Sequence, residues 1–350
     1  MKEPGLEGSF WPTERQKLLL LTAFGGDEAG AEAWRRLRPR LDLDRLEPGS
    51  FPLLPLVHRR LDGLGIEDSY MPRLAGIRRR TWYLNHVQLD GVTAALRALE
   101  GRGAEPVVVG GWQFPAHYLG GDFGLRPVDG LEALVRGGHA AAGSVDGGAV
   151  TLHERFAREF ADPDLEDVWA ATFLVQLGET SARVLGPTDE LVRVCLAGAR
   201  ATVFPNILWL ADALSVLETG IDWDRLVRQA RRLRATLRLR DALVYLGREL
   251  SADVPAKTIR ELEAAPVGRR ERLAHREAGR TRPLLGPTPR IATRFLHVTS
   301  DRSLPAALVA LPTFLRDELG LQRRSQVPIE VVRRAAARPT ATPAGRTRVE

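Results

Sequence analysis

Residues 105–111, Glu-Pro-Val-Val-Val-Gly-Gly, interrupt a long stretch of helical periodicity with a β-branched run closed by a glycine pair. Such a run, bounded by turn residues, is the pattern of a short buried strand ending in a tight turn. A chain with this interruption cannot be a plain helical bundle, because a strand needs partners for its backbone groups. Leu131–Val135 and Ala149–His153 are the candidate second and third strands. The expected fold is therefore mostly helical α+β, with a small β-sheet inserted between helical segments.

The flanks support this. Thr13-Glu14-Arg15-Gln16 has capping-box spacing and leads into Lys17–Phe24. Ala31–Leu37, Pro52–Leu61 and a long stretch over about residues 71–100 follow, the last with Leu89, Val92, Leu96 and Leu99 as its later apolar face. Beyond the sheet, helical period returns at Leu165–Leu174, Asp189–Ala199, Ile207–Leu217, Trp223–Leu250 and Ala256–Glu263. The expected organisation is a helical region at 1–100, a sheet region at 101–156 and a helical region at 157–263. An Arg-, Gly- and Pro-rich linker at 264–293, a helical segment at 294–332 and a disordered tail at 333–350 complete it.

Composition excludes several classes. With 44% hydrophobic and 27% charged residues over 350 positions, the chain can bury a core but is too charged to live in lipid. Leu18–Phe24 is far shorter than a membrane span, so a cytoplasmic protein is expected. The single cysteine, Cys195, forms no internal disulfide and no zinc cluster. A formal charge of +6 rests almost wholly on arginine, with only Lys2, Lys17 and Lys257 as lysines. Charge spread in this way makes no patch and argues against nucleic acid as the partner. Arg228, Arg231, Arg232, Arg234 and Arg238 are read as the solvated face of one amphipathic helix.

The wording of four blocks carries more. Residues 107–135, VVVGGWQFPAHYLGGDFGLRPVDGLEALV, resemble a segment of the uncharacterised nucleotidyltransferase family. That segment reads as apolar strand, Lys-Gly-Ala, short helix, Leu-Arg-Pro and Asp-x-Asp-Leu-Leu-Val. VTLHERF (150–156) is similar to its Val-Asp-Leu-His-Trp strand, and residues 165–199 to its Leu-Trp segment and Arg-Val-Leu-x-Pro-x-Asp turn. ILWLADALSVL (207–217) is similar to its Trp-Leu-x-Asp helix. The resemblance runs in order over about residues 11–320. It implies a nucleotidyltransferase palm at 101–156 and a bacterial protein, since members occur in bacterial gene clusters, including those for peptide natural products.

The resemblance also shows what is missing. Nucleotidyl transfer needs two or three carboxylates on Mg²⁺ ions that bridge the triphosphate. The Asp-x-Asp positions are Gly130 and Glu132 here, and the third carboxylate is Thr151. The lysine before the glycine is Gly110, and the histidine of the later helix is Ala197. Asp129 lies three residues from Glu132 and would face the opposite side of a regular strand. The segment 136–149 is also much shorter than its counterpart in the family.

The resulting expectation is a degenerate family member acting by binding, with no catalytic residue assigned and no metal ligand. Gly110, Gly111, Arg126 and Glu132 are its candidate nucleotide-contacting residues. No cofactor is expected, and the partner would be a protein, peptide or small molecule, with no membrane involved. The competing reading is an active enzyme using Mg²⁺ and a nucleoside triphosphate to move a nucleoside monophosphate onto a small molecule, peptide or protein. In that case Asp122, Asp129 and Glu132 would improvise the metal site. An RNA-binding scaffold rests on charge alone. His153 is read as a hydrogen-bonded core histidine rather than a catalyst.

Overall fold

The computed structural model describes residues 10–47, 49–136, 150–153, 156, 165–199, 206–279, 295, 304–319, 324–328 and 333. The chain divides into two compact units, residues 1–298 and 299–350. Within the first, helices α1 (Glu14–Phe24), α2 (Asp27–Leu37), α3 (Leu54–Gly63) and α4 (Met71–Glu100) precede strand β1 (Val107–Val108). One turn of π-helix, Phe114–Tyr118, leads to β2 (Leu131–Leu134) and β3 (Val150–His153). Helix α5 (Leu165–Ala170), strands β4 (Phe173–Leu177) and β5 (Thr180–Val184), and helices α6 (Pro187–Gly198) and α7 (Leu208–Leu217) follow. Helices α8 (Trp223–Arg232), α9 (Thr236–Glu249), α10 (Ala256–Ala264) and α11 (Arg269–Ala278) close this unit. The second unit contains a helix at Leu304–Leu319.

The capping box is formed as its spacing predicts: Gln16 N–H donates to Thr13 Oγ1, and Thr13 N–H donates to Gln16 Oε1. The mostly helical α+β expectation holds. The sheet is larger than expected, however, with five strands in the order β3-β2-β1-β5-β4. Strand β1 runs antiparallel to β2 and parallel to β5, β2 runs parallel to β3, and β4 pairs with β5 as an antiparallel hairpin. Residues 173–184 therefore belong to the sheet and not to a helical region beginning at 157. Gly178, at φ +59°, makes the turn between β4 and β5.

Two other expectations need correction. The segment Trp223–Leu250 is not one helix, because Arg234 adopts φ +54° between α8 and α9. Arg238 is buried and donates to the Leu196 carbonyl, so it does not share a solvated arginine face. The expected linker at 264–293 contains α11 in its described part, while 280–293 and most of the tail lie outside the described residues.

Alternation along the strands splits the core into two clusters. Val107, Val109 and Leu134 join the main cluster with α1, α6 and α7, whereas Val108, Leu131, Ala182 and Val184 pack under Val92, Ala95 and Leu96 of α4. The sheet is thus covered on both faces, which explains why β1 has no polar position. Cys195 is buried in the main cluster, and burial pushes its thiol up to about 12. No helix among the described residues is long and apolar enough to cross a membrane.

A candidate ligand cleft between the sheet and helices α6 and α7

The turn after β1 is held from three directions. Gly111 N–H donates to Gln113 Oε1 at 3.0 Å, and Gln113 Nε2 donates to Glu190 Oε1 at 2.9 Å. Trp112 Nε1 donates to the Gly130 carbonyl at 2.7 Å, tying this turn to the start of β2. Val109 N–H donates to the Glu132 carbonyl at 2.9 Å. Both glycines are needed for space as well as for turning. A Cβ on Gly110 would clash with the Glu132 side chain, and one on Gly111, at φ +121°, would clash with the Arg126 guanidinium.

Helix α4 fixes the opposite loop. Asn85 Nδ2 donates to the carbonyls of Phe123 and Arg126 at 2.7 and 2.8 Å, and its Oδ1 accepts from Val128 N–H at 3.1 Å. Gln88 adds bonds to the Val128 carbonyl and Gly130 N–H. These bonds leave the Arg126 side chain pointing at α7. There its Nε and Nη2 donate to Asp212 Oδ1 and Oδ2 at 2.7 and 2.8 Å. The pair is largely buried, with side-chain exposures of 11% and 10%, and the guanidinium also lies 4.8 Å from the centre of the Phe114 ring.

A cleft of about 520 Å³ opens above these groups. Gly110, Asp129 and Glu132 line one side, and Arg193, Ala197, Asn206, Trp209 and Asp212 line the other. Three of the positions at which the family resemblance implies a functional side chain, namely Gly110, Glu132 and Ala197, therefore meet at one cleft. Thr151 stands directly opposite Glu132 in the β2–β3 register.

The structure corrects the expected direction of Asp129, which lines the same cleft as Glu132. Gly130 is left-handed at φ +64° and β2 begins only at Leu131, so strict strand alternation does not extend back to Asp129. Asp122 is placed elsewhere: its Oδ2 accepts from Arg78 Nη2 at 2.5 Å and its Oδ1 accepts from Gly124 N–H. His153 Nε2 lies 3.1 Å from Glu132 Oε2, making the strand histidine a neighbour of the remaining carboxylate.

Sequence reasoning missed two contributors. Asp212 was visible only as part of a helix motif, and nothing local marks it as the partner of a residue 86 positions earlier. Glu190 reads as a first-turn acid of α6, yet it is fully buried, with Arg193 Nη2 at 3.7 Å from Oε1 and no hydrogen-bond partner on Oε2. Burial raises its carboxyl above the usual range, against the opposing pull of Arg193 and Gln113.

Residues 145–250 match the model of the uncharacterised nucleotidyltransferase family. The resemblance seen in the motifs is borne out over that stretch, which contains β4, β5 and helices α5 to α9. No curated protein and no solved structure matches the chain significantly. Nucleotidyltransferases characteristically use Mg²⁺ and a nucleoside triphosphate, so the donor set can be tested for fit. Among the described residues, no group of three His, Cys, Asp or Glu side chains could hold a metal ion. Mg²⁺ is usually held by one or two carboxylates together with substrate phosphates and waters, and in this cleft the carboxylates of that kind are Asp129 and Glu132.

Proposed function

We propose that this nucleotidyltransferase-family protein has lost nucleotidyl transfer and uses the cleft lined by Gly110, Arg126 and Glu132, with Gly111 behind Arg126, to bind a small molecule, or a segment of a peptide or protein partner. One observation carries this reading: Gly110, Glu132 and Ala197 converge on one cleft, and only Glu132 retains a side chain suited to the chemistry.

The charges of the cleft point the same way. Three carboxylates (Asp129, Glu132, Asp212) face two guanidiniums (Arg126, Arg193). Arg126 is already neutralised by Asp212, and Arg193 stands near Glu190. Among the described lining residues, a triphosphate entering without Mg²⁺ would meet net negative charge, with Arg193, 3.7 Å from Glu190, as the less committed of the two cations. The shared placement of Asp129 and Glu132 favours the second reading, an active enzyme with a two-carboxylate site.

Calorimetric titration of ATP and GTP with Mg²⁺ into the full chain, coupled to detection of released pyrophosphate, separates the two. The binding reading expects neither Mg²⁺-dependent binding nor pyrophosphate. Pyrophosphate release that disappears in Glu132→Ala would overturn it.

A further inference from the structure

Helix α4 is inverted in its middle. Its inner face there is polar, with buried Thr81 and Asn85, because these side chains bond to backbone: Thr81 to its own helix and Asn85 to the loop at 123–128. Its outer face is apolar, with Trp82, Tyr83, Leu84 and Val87 exposed by 49%, 62%, 41% and 61%. Half of the exposed large hydrophobic side chains of the described residues thus fall within six positions of one helix. Leaving this much aromatic surface in water is costly, and a contiguous patch of this kind marks an interface.

The charges around the patch are arranged with polarity. At 100° per residue, Arg79, Tyr83, His86, Val87 and Asp90 fall on one arc, with Trp82 beside it. Arg79 and Asp90 therefore bracket the aromatic residues, about 16 Å apart along the helix axis. Both are exposed, and neither takes part in an ion pair among the described residues. Trp82 is already ordered by stacking on His86, with ring centres 3.7 Å apart.

We infer that this face of α4 pairs with the same face of a second copy of the chain, antiparallel, about a two-fold axis near Leu84–Asn85. A two-fold contact requires a self-complementary surface. This register supplies one: Arg79 meets Asp90 of the second copy, Trp82 meets His86, and Tyr83 meets Val87. Each charged contact occurs twice by symmetry, and the aromatic side chains of both copies leave water together. The inference is independent of the proposed loss of catalysis, since the outer face of α4 lies away from the cleft-lining residues.

Sedimentation velocity on the full chain over a concentration series tests it. The expected result is a dimer whose dissociation constant rises at least about tenfold in Arg79→Asp and in Tyr83→Ser. The double variant Arg79→Asp/Asp90→Arg restores dimerisation by exchanging the charges, which a variant that merely failed to fold could not do. Circular dichroism confirms that each variant keeps its helix content. A monomer at about 100 µM, or a dimer indifferent to both single substitutions, would overturn the inference and assign the face to another occupant.

Discussion

Arg126 and Asp212 are joined by two parallel hydrogen bonds of 2.7 and 2.8 Å that lock the loop before β2 to helix α7. Planar bidentate pairing of this kind is the strongest form a guanidinium can make with a carboxylate. It spans 86 residues of sequence and forms part of the cleft wall. Removing one partner leaves a buried charge without compensation.

Asp212→Ala should therefore destabilise the protein by about 3–5 kcal/mol, as read from urea denaturation. Asp212→Asn, which keeps an acceptor for Arg126, should cost less. Equal costs for the two variants would show that packing and not the ion pair dominates.

Gly110 and Gly111 should not tolerate even a methyl group. A Cβ at Gly110 meets the side chain and backbone nitrogen of Glu132, and at Gly111 it meets the Arg126 guanidinium at a positive φ. Each Gly→Ala variant should lower stability by about 1–3 kcal/mol, measured by thermal melts. Gly76→Ala is the control, since that residue lies inside helix α4 and a Cβ there has nothing within 4 Å.

Glu190 sets a pH-dependent cost. Burial raises its carboxyl in the folded state, so the folded protein holds this proton more tightly than the unfolded chain does. The penalty is absent below the unfolded value of 4.5, grows as pH rises from there to the raised folded value, and is complete above it. Glu190→Gln should accordingly be more stable than the wild type at pH 8 and should lose that advantage near pH 4. Melting temperatures at the two pH values check both the sign and the window.

Thr151 offers a test by restoration. It pairs in register with Glu132 across the parallel strands β2 and β3, so Thr151→Asp places a second carboxylate beside the first on one face. The variant should gain a Mg²⁺-dependent rise in melting temperature that the wild type lacks. Restoration at Gly130 should be poorer, because that residue is left-handed at φ +64°.

Periodicity and turn chemistry were sufficient to reveal most local elements of this chain. The capping box at Thr13, the long helix over 71–100 and strands near 107, 131 and 150 are all legible, because each depends on residues within a few positions of one another. The family resemblance, also written in local motifs, holds over residues 145–250. The expected helix Leu165–Leu174 is real only as far as Ala170, and the β4–β5 hairpin that follows was hidden because its strands are five residues each and are decided by pairing of β5 with β1 and of β4 with β5. The break at Arg234 was likewise hidden, since arginine carries no turn signal.

What the tertiary structure alone decided is which charges meet. Sequence named Arg126 but not Asp212, and placed Glu190 on a helix N-terminus without burying it. It set Asp129 and Glu132 on opposite faces, whereas the left-handed Gly130 turns them into one cleft. Local patterns record backbone preference and amphipathicity, which short segments determine by themselves. Long-range ion pairs and cavities exist only once packed elements exclude water, so no single segment can encode them.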